Sequence, residues 1–143
     1  MPYRYLEDIA TADVAFEAWG ATGEELFIAA ADALLATMAN APGKVERKEE
    51  LIITLEHEEP DLLLWSFLQE LIFLKDARRL LLHADTVSIA ERGGVFTLKA
   101  LLRGEEINSG RHQLLVDVKA ATLHRLQLTR IEDQWRATVV LDV

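Results

Sequence analysis

Leu80-Leu-Leu-His-Ala-Asp-Thr-Val-Ser-Ile-Ala-Glu-Arg-Gly-Gly-Val-Phe-Thr-Leu-Lys-Ala-Leu-Leu-Arg103 is the stretch that decides the fold class of this 143-residue chain. Two strand-like runs, Leu80 to Glu91 and Val95 to Arg103, flank Gly93-Gly94, and glycine accepts the positive φ angles that a tight hairpin turn demands. The stretch reads as an antiparallel hairpin. Downstream, Gly104 to Gly110 reads as a polar loop, and strands follow at His112 to Ala120, Leu123 to Ile131 and, after the turn Glu132-Asp133-Gln134, Trp135 to Val143.

Working upstream, everything after Asp76 reads as strand, and the segment before it reads as helix. Pro60 opens that helix, where its missing amide hydrogen costs nothing, and Asp61 suits the positive end of the helix dipole. The helix runs to about Leu74. Leu62, Leu63, Leu64, Trp65, Phe67, Leu68, Leu71, Ile72 and Phe73 make it apolar around most of its circumference, as a central core helix would be. Glu49 to Glu56 places Leu51, Ile53 and Leu55 on one face, the pattern of a half-buried strand. An earlier helix begins at Thr22-Gly-Glu-Glu25, a capping box, and extends to about Met38, where Asn40-Ala-Pro-Gly43 stops it. Tyr3 to Glu7 and Val14 to Trp19 complete the count as two short strands, giving two helices among seven or eight strands. The expectation is an α+β fold, a single domain over residues 1–143, with two helices packed on a mainly antiparallel sheet.

Composition narrows the function. Fifteen basic residues against twenty-four acidic ones give a formal charge of −9, so most of the surface would repel phosphate backbones. Direct RNA binding is therefore not expected; a divalent cation or a basic protein surface is. The absence of cysteine removes disulfides, thiolate nucleophiles and Cys-type zinc sites. No apolar stretch is long enough to span a bilayer and no signal-peptide core is present, which points to a cytoplasmic protein without a membrane partner. There is no GxGxxG after a strand, no P-loop and no HExxH, and His57, His83, His112 and His124 lie scattered. No catalytic constellation of a common class emerges.

Three features remain. Asp13 stands immediately before an apolar strand, either as a turn-forming residue or as a ligand. Asp142 lies one residue from the α-carboxylate of Val143, at the end of a run that keeps its alternating pattern to the last position, as if held in a sheet. The alternatives there are a solvated, frayed end and an oxygen-rich cation site. With Asp13, these groups would suit calcium, magnesium or manganese, which prefer hard oxygen donors. Lys119 sits in Val116-Asp-Val-Lys-Ala-Ala-Thr-Leu-His124, and by itself reads more readily as a solvated or ion-paired residue than as a chemical one. Trp65 reads as core, and Glu70 as facing water or pairing with a base.

Thr11-Ala-Asp-Val14 followed by Phe16 and Gly20, Asp61-Leu-Leu-Leu-Trp65 with Glu70-Leu71, Gly104-Glu105, Val118-Lys-Ala-Ala-Thr-Leu-His124, and the closing Trp135 and Leu-Asp-Val occur in an order that resembles the archease family. These are small proteins that activate the RtcB-type RNA ligase in tRNA splicing and RNA repair. The resemblance covers nearly the whole chain. It implies that Asp13, Asp142 and Val143 bind a divalent cation, calcium in the family, and that Lys119 takes part in ligase activation. It further implies a protein cofactor rather than an enzyme, promoting formation of the ligase–GMP intermediate from GTP and repeated turnover. RNA would be met only through the ligase. Two positions depart from the family pattern: Ala10 stands where the family has His, and Leu123 where it usually has Tyr. The rival readings are a divalent-ion-binding chaperone or adaptor, which would rely on apolar surface, and a metal-dependent phosphoester hydrolase, which would turn over without a ligase.

Overall fold

In the computed structural model, residues 2–7 and 13–143 are described. Ala10, Thr11 and Ala12 of the N-terminal motif lie outside them. Among the described residues the order is β1 (Tyr3–Leu6), β2 (Asp13–Gly20), α1 (Gly23–Met38), β3 (Glu49–His57), α2 (Pro60–Arg78), β4 (Leu80–Arg92) and β5 (Val95–Glu106). Then follow β6 (Ala120–Ala121), β7 (Gln127–Ile131) and β8 (Gln134–Asp142), with one 3-10 turn at Pro42–Lys44.

The β4–β5 hairpin turns at Gly93 and Gly94, whose φ angles are 56° and 80°. β3 pairs with the other edge of β5, which completes a three-stranded antiparallel sheet. A second, five-stranded antiparallel sheet is built around β8. β2 lies along one edge of β8 with β1 outside it, while β6 and β7 share the other edge. The expected single sheet is thus two. Both helices lie between them: α1 packs on β2 and β4, and α2 packs on β3, β4 and β5 on one side and on β6 and β7 on the other.

This layering explains the near-uniform apolarity of α2. Leu63, Leu64, Phe67, Leu68, Leu71, Ile72 and Leu74 are buried because the helix meets a sheet on two sides. Phe73 departs from expectation and is 57% exposed. The α1 cap forms as its sequence dictates. Glu25 donates its amide hydrogen to Thr22 Oγ1 at 3.1 Å, and the Glu25 carboxylate accepts from the Ala21 amide at 2.8 Å.

Several boundaries differ from expectation. α2 continues through Asp76 to Arg78, since nothing breaks it and Lys75 and Arg78 suit its negative end; Arg79, at φ 54°, then turns the chain directly into β4. β5 continues through the expected loop to Glu106. Gly104 belongs inside that strand because the backbone of Leu81 passes so close that a Cβ would overlap its carbonyl oxygen.

His112 to Ala120 is not a strand. This stretch crosses from one sheet to the other, pairs with no strand among the described residues apart from its last residue, and is hydrogen-bonded to the end of α1 instead. Leu115 donates to the Met38 carbonyl at 2.9 Å, and Gln113 accepts from the Asn40 amide at 2.8 Å. Only Ala120 and Ala121 pair as β6. The strand expected from Leu123 shortens to β7, because Leu123–Leu126 form a turn around Arg125 at φ 55°. No helix among the described residues is long and apolar enough to cross a membrane.

Candidate functional site

The four residues singled out in the sequence meet at one end of the five-stranded sheet. Asp13 opens β2 and Asp142 closes β8, and the register of the two strands sets them directly opposite one another. Opposed residues in an antiparallel pair project from the same face, with Cβ atoms about 4.5–5.5 Å apart. The next pair along, Val14 and Leu141, turns towards the helices, where Leu141 is fully buried, so the two acids project from the outer face. Asp142 is exposed and Asp13 half-buried. On the other edge of β8, Ala120 lies opposite Asp142, and Lys119 donates its amide hydrogen to the Asp142 carbonyl at 2.8 Å. Val143 is half-buried and packs against the core.

Like charges directly opposed across a ladder repel. A cation between them removes that cost, and two carboxylates form a hard donor set suited to calcium, magnesium or manganese. Among the described residues no three His, Cys, Asp or Glu side chains converge on one point. Of the described residues, the pair would offer a cation two side-chain carboxylates, and further oxygens would have to come from elsewhere.

Helix α2 fixes the segment that carries Lys119. Trp65 donates its indole hydrogen to the Ala121 carbonyl at 2.8 Å, and Gln69 Oε1 accepts the Ala121 amide hydrogen at 2.8 Å. Trp65 and Gln69 thus supply to the outer edge of β6 the hydrogen bonds that another strand would have made. Nearly two turns further on, Lys75 donates to the Val118 carbonyl at 2.7 Å and to Asp117 at 2.6 Å, and it pairs with Asp76 at 2.9 Å. Burial of the Lys75 ammonium works against its charge, but hydrogen bonds to Asp117 and Asp76 outweigh it and raise its pKa above the usual lysine value.

Sequence reading placed Trp65 in the core and gave no role to Gln69 or Lys75. Trp65 is half-buried, with its polar edge turned to β6. The available signal is a lysine directly after the apolar run Leu71-Ile-Phe-Leu74. Glu70 is half-buried, and Leu123 is 58% exposed.

A second charged cluster lies at the end of β5. Glu105 and His112 are buried, and Glu105 meets the Arg111 guanidinium, the Glu46 amide and His112 Nε2, the last at 3.3 Å. His112 Nδ1 accepts from the Asn108 amide at 2.9 Å. Burial alone would raise the Glu105 pKa, but Arg111, the Glu46 amide and His112 hold it down at about 2. This cluster closes the loop between Glu106 and Arg111, so its role is to anchor the start of the crossing segment.

Comparison with known proteins bears on the chain as a whole and on its fold. The model of the archease protein family matches residues 3–143. The protein archease of Pyrococcus furiosus is 36% identical over 134 residues, covering 93% of this chain and 94% of that protein. That of Thermococcus kodakarensis is 37% identical over 134 residues, with the same shares of 93% and 94%. Among solved structures, a Methanobacterium thermoautotrophicum protein superposes with a TM-score of 0.87 at 31% identity, covering 99% of both chains. The fold is also that of a Thermotoga maritima archease described as a possible chaperone, with a TM-score of 0.66, 24% identity and coverage of 94% of this chain and 93% of that one.

Proposed function

Because the chain belongs to the archease family, we propose that it works on another protein, as an activator of an RtcB-type RNA ligase that promotes GTP-dependent guanylylation and multiple turnover in tRNA splicing or RNA repair. The observation that supports this reading is the placement of Asp13 opposite Asp142, with Lys119 bound to the same strand end. A nucleophile and its base are not needed for such a role. What is needed is a fixed acidic tip that fits a basic, phosphate-holding centre.

Asp13 and Asp142, with Val143, would hold a divalent cation, calcium in the first instance and magnesium or manganese by the same donor chemistry. When bound, that ion supplies positive charge beside phosphate oxygens. The chain's own residues supply position: β2 and β8 set the carboxylates, and α2 sets the segment bearing Lys119, whose ammonium would meet a phosphate or the carboxylates. Because the strands are paired before the partner arrives, little ordering remains to be done on binding.

The test is a guanylylation assay with purified ligase, GTP and manganese. Wild-type protein should accelerate guanylylation and permit repeated turnover, while Asp13→Ala and Asp142→Ala should fold normally and fail to do so. Full stimulation by both variants would overturn the role of the tip. A second reading, a chaperone or adaptor that stabilises partners without affecting their chemistry, draws on the description of the Thermotoga protein and on exposed Phe73, Leu114 and Leu115. It predicts greater ligase solubility or survival with no change in the rate of guanylylation per folded ligase.

A further inference from the structure

Leu114 and Leu115 are neighbours in sequence, and both are about half exposed, at 46% and 51%. The backbone of this part of the crossing segment is held by the Met38 carbonyl and the Asn40 amide, bonds that any residue can make. The position of the two side chains is more informative than their exposure.

They form a ridge between two clefts. On one side Leu115 and Val116 line a cleft of about 460 Å³ together with Tyr5, Leu6 and Asp13, so the ridge shares a wall with one of the two acids. On the other side Leu114 and Leu115 line a cleft of about 350 Å³ together with Lys75, Asp76 and Asp117. Leu123, also exposed, follows Thr122, whose amide is bonded to the Val140 carbonyl two residues before Asp142. Leu115 thus shares a cleft with Asp13, and Leu123 follows directly on the segment paired to the end of β8.

We infer that the Leu114–Leu115 ridge is the apolar part of the surface through which this protein docks on its partner enzyme, seated in an apolar socket beside that enzyme's basic, phosphate-binding pocket. The inference rests on the activator reading above and adds to it the surface that supplies affinity. Charge complementarity selects the occupant: with a formal charge of −9 and two opposed carboxylates next to the ridge, the fitting partner surface is cationic at its centre and apolar at its edge. A second copy of this chain would bring another acidic pair against the first. The two parts of the surface divide the work, since rim charges mainly steer encounter and orientation while desolvated apolar anchors set residence time.

The experiment measures three quantities on full-length protein: calorimetric affinity for purified ligase in the presence of GTP and manganese, calorimetric affinity for calcium alone, and the melting temperature. The Leu114→Asp/Leu115→Asp variant should bind ligase at least about tenfold more weakly, as loss of a buried anchor does. Its calcium affinity and melting temperature should stay at wild-type values. Leu115→Ala, which adds no charge, should weaken ligase binding in the same direction by less. Ile131→Asp, equally exposed but at the opposite end of β8, should change none of the three.

Unaltered ligase affinity in the double variant would overturn the ridge and leave the activator reading standing. Failure of the wild-type protein to bind the ligase would remove both. A concentration-dependent dimer in sedimentation that Leu115→Asp dissolves would assign the ridge to self-association and overturn the inference.

Discussion

Trp65 spans the gap between helix and sheet, with its indole nitrogen 2.8 Å from the carbonyl oxygen of Ala121. Ala121 is one of only two residues in β6, so this bond and the one from Gln69 are a large part of what keeps that strand against β8. Trp65→Phe should leave the carbonyl without its partner and cost about 1–3 kcal/mol of stability. Chemical denaturation measures the loss. Hydrogen exchange should locate it, with the Lys119 and Thr122 amides losing protection while those of β4 and β5 keep theirs.

Asp142→Asn should separate stability from ion binding. Removing one of two opposed charges should leave the metal-free protein as stable as before, or more stable by about 0.2–1 kcal/mol. If the acidic pair holds a cation, wild-type protein should melt at a higher temperature in calcium than in chelator, and the variant should lose that difference. Thermal melts under both conditions provide the check.

Acid should act on the molecule through Glu105. Its folded-state pKa of about 2 lies below the ordinary value of 4.5, so the folded protein holds its proton more weakly than the unfolded chain does. The stabilisation is fully present above about pH 4.5 and is lost as pH falls through that value towards 2. Glu105→Gln should be less stable than wild type at neutral pH, with the difference shrinking across that window. Denaturation midpoints measured from pH 7 to pH 2.5 would show it.

Gly104→Ala should be among the most damaging small substitutions in the chain. The added methyl would overlap the Leu81 carbonyl inside a paired strand, where neither backbone can retreat without breaking the ladder, at a cost of about 1–3 kcal/mol or more. Gly43→Ala is the control. A Cβ there meets nothing within 4 Å, and the melting temperature should hold.

Legibility followed the physical range of each signal. The β4–β5 turn was readable because two glycines with positive φ leave a local mark, and the start of α1 because Thr22 and Glu25 satisfy each other's neighbourhood within four residues. The division into two sheets was not readable: it depends on which strands pair across long separations, and alternation in β3 looks the same whichever sheet receives it. Gly104 read as loop because its reason for being glycine is a contact with Leu81, over twenty residues earlier. The segment from His112 to Lys119 carries strand-like residues yet pairs with no strand among the described residues. Asp13, Asp142, Val143 and Lys119 were identifiable as an acid before a strand, an acid near the chain end and a lysine in a motif, but their meeting is a property of the register. Gln69 and Lys75 left almost no trace, since a side chain that bonds to backbone puts no demand on the residue type it bonds to.

The Asp13–Asp142 pair joins the second strand to the eighth, so nearly the whole sequence lies in the loop that their meeting closes. No fragment lacking either strand, and no chain still unfolding at one edge, contains the pair. A ligand that needs both carboxylates therefore distinguishes finished molecules from unfinished ones, and it stabilises the finished form by mass action in proportion to its own concentration. A partner that recognises this tip is in effect inspecting the completeness of the fold before it engages.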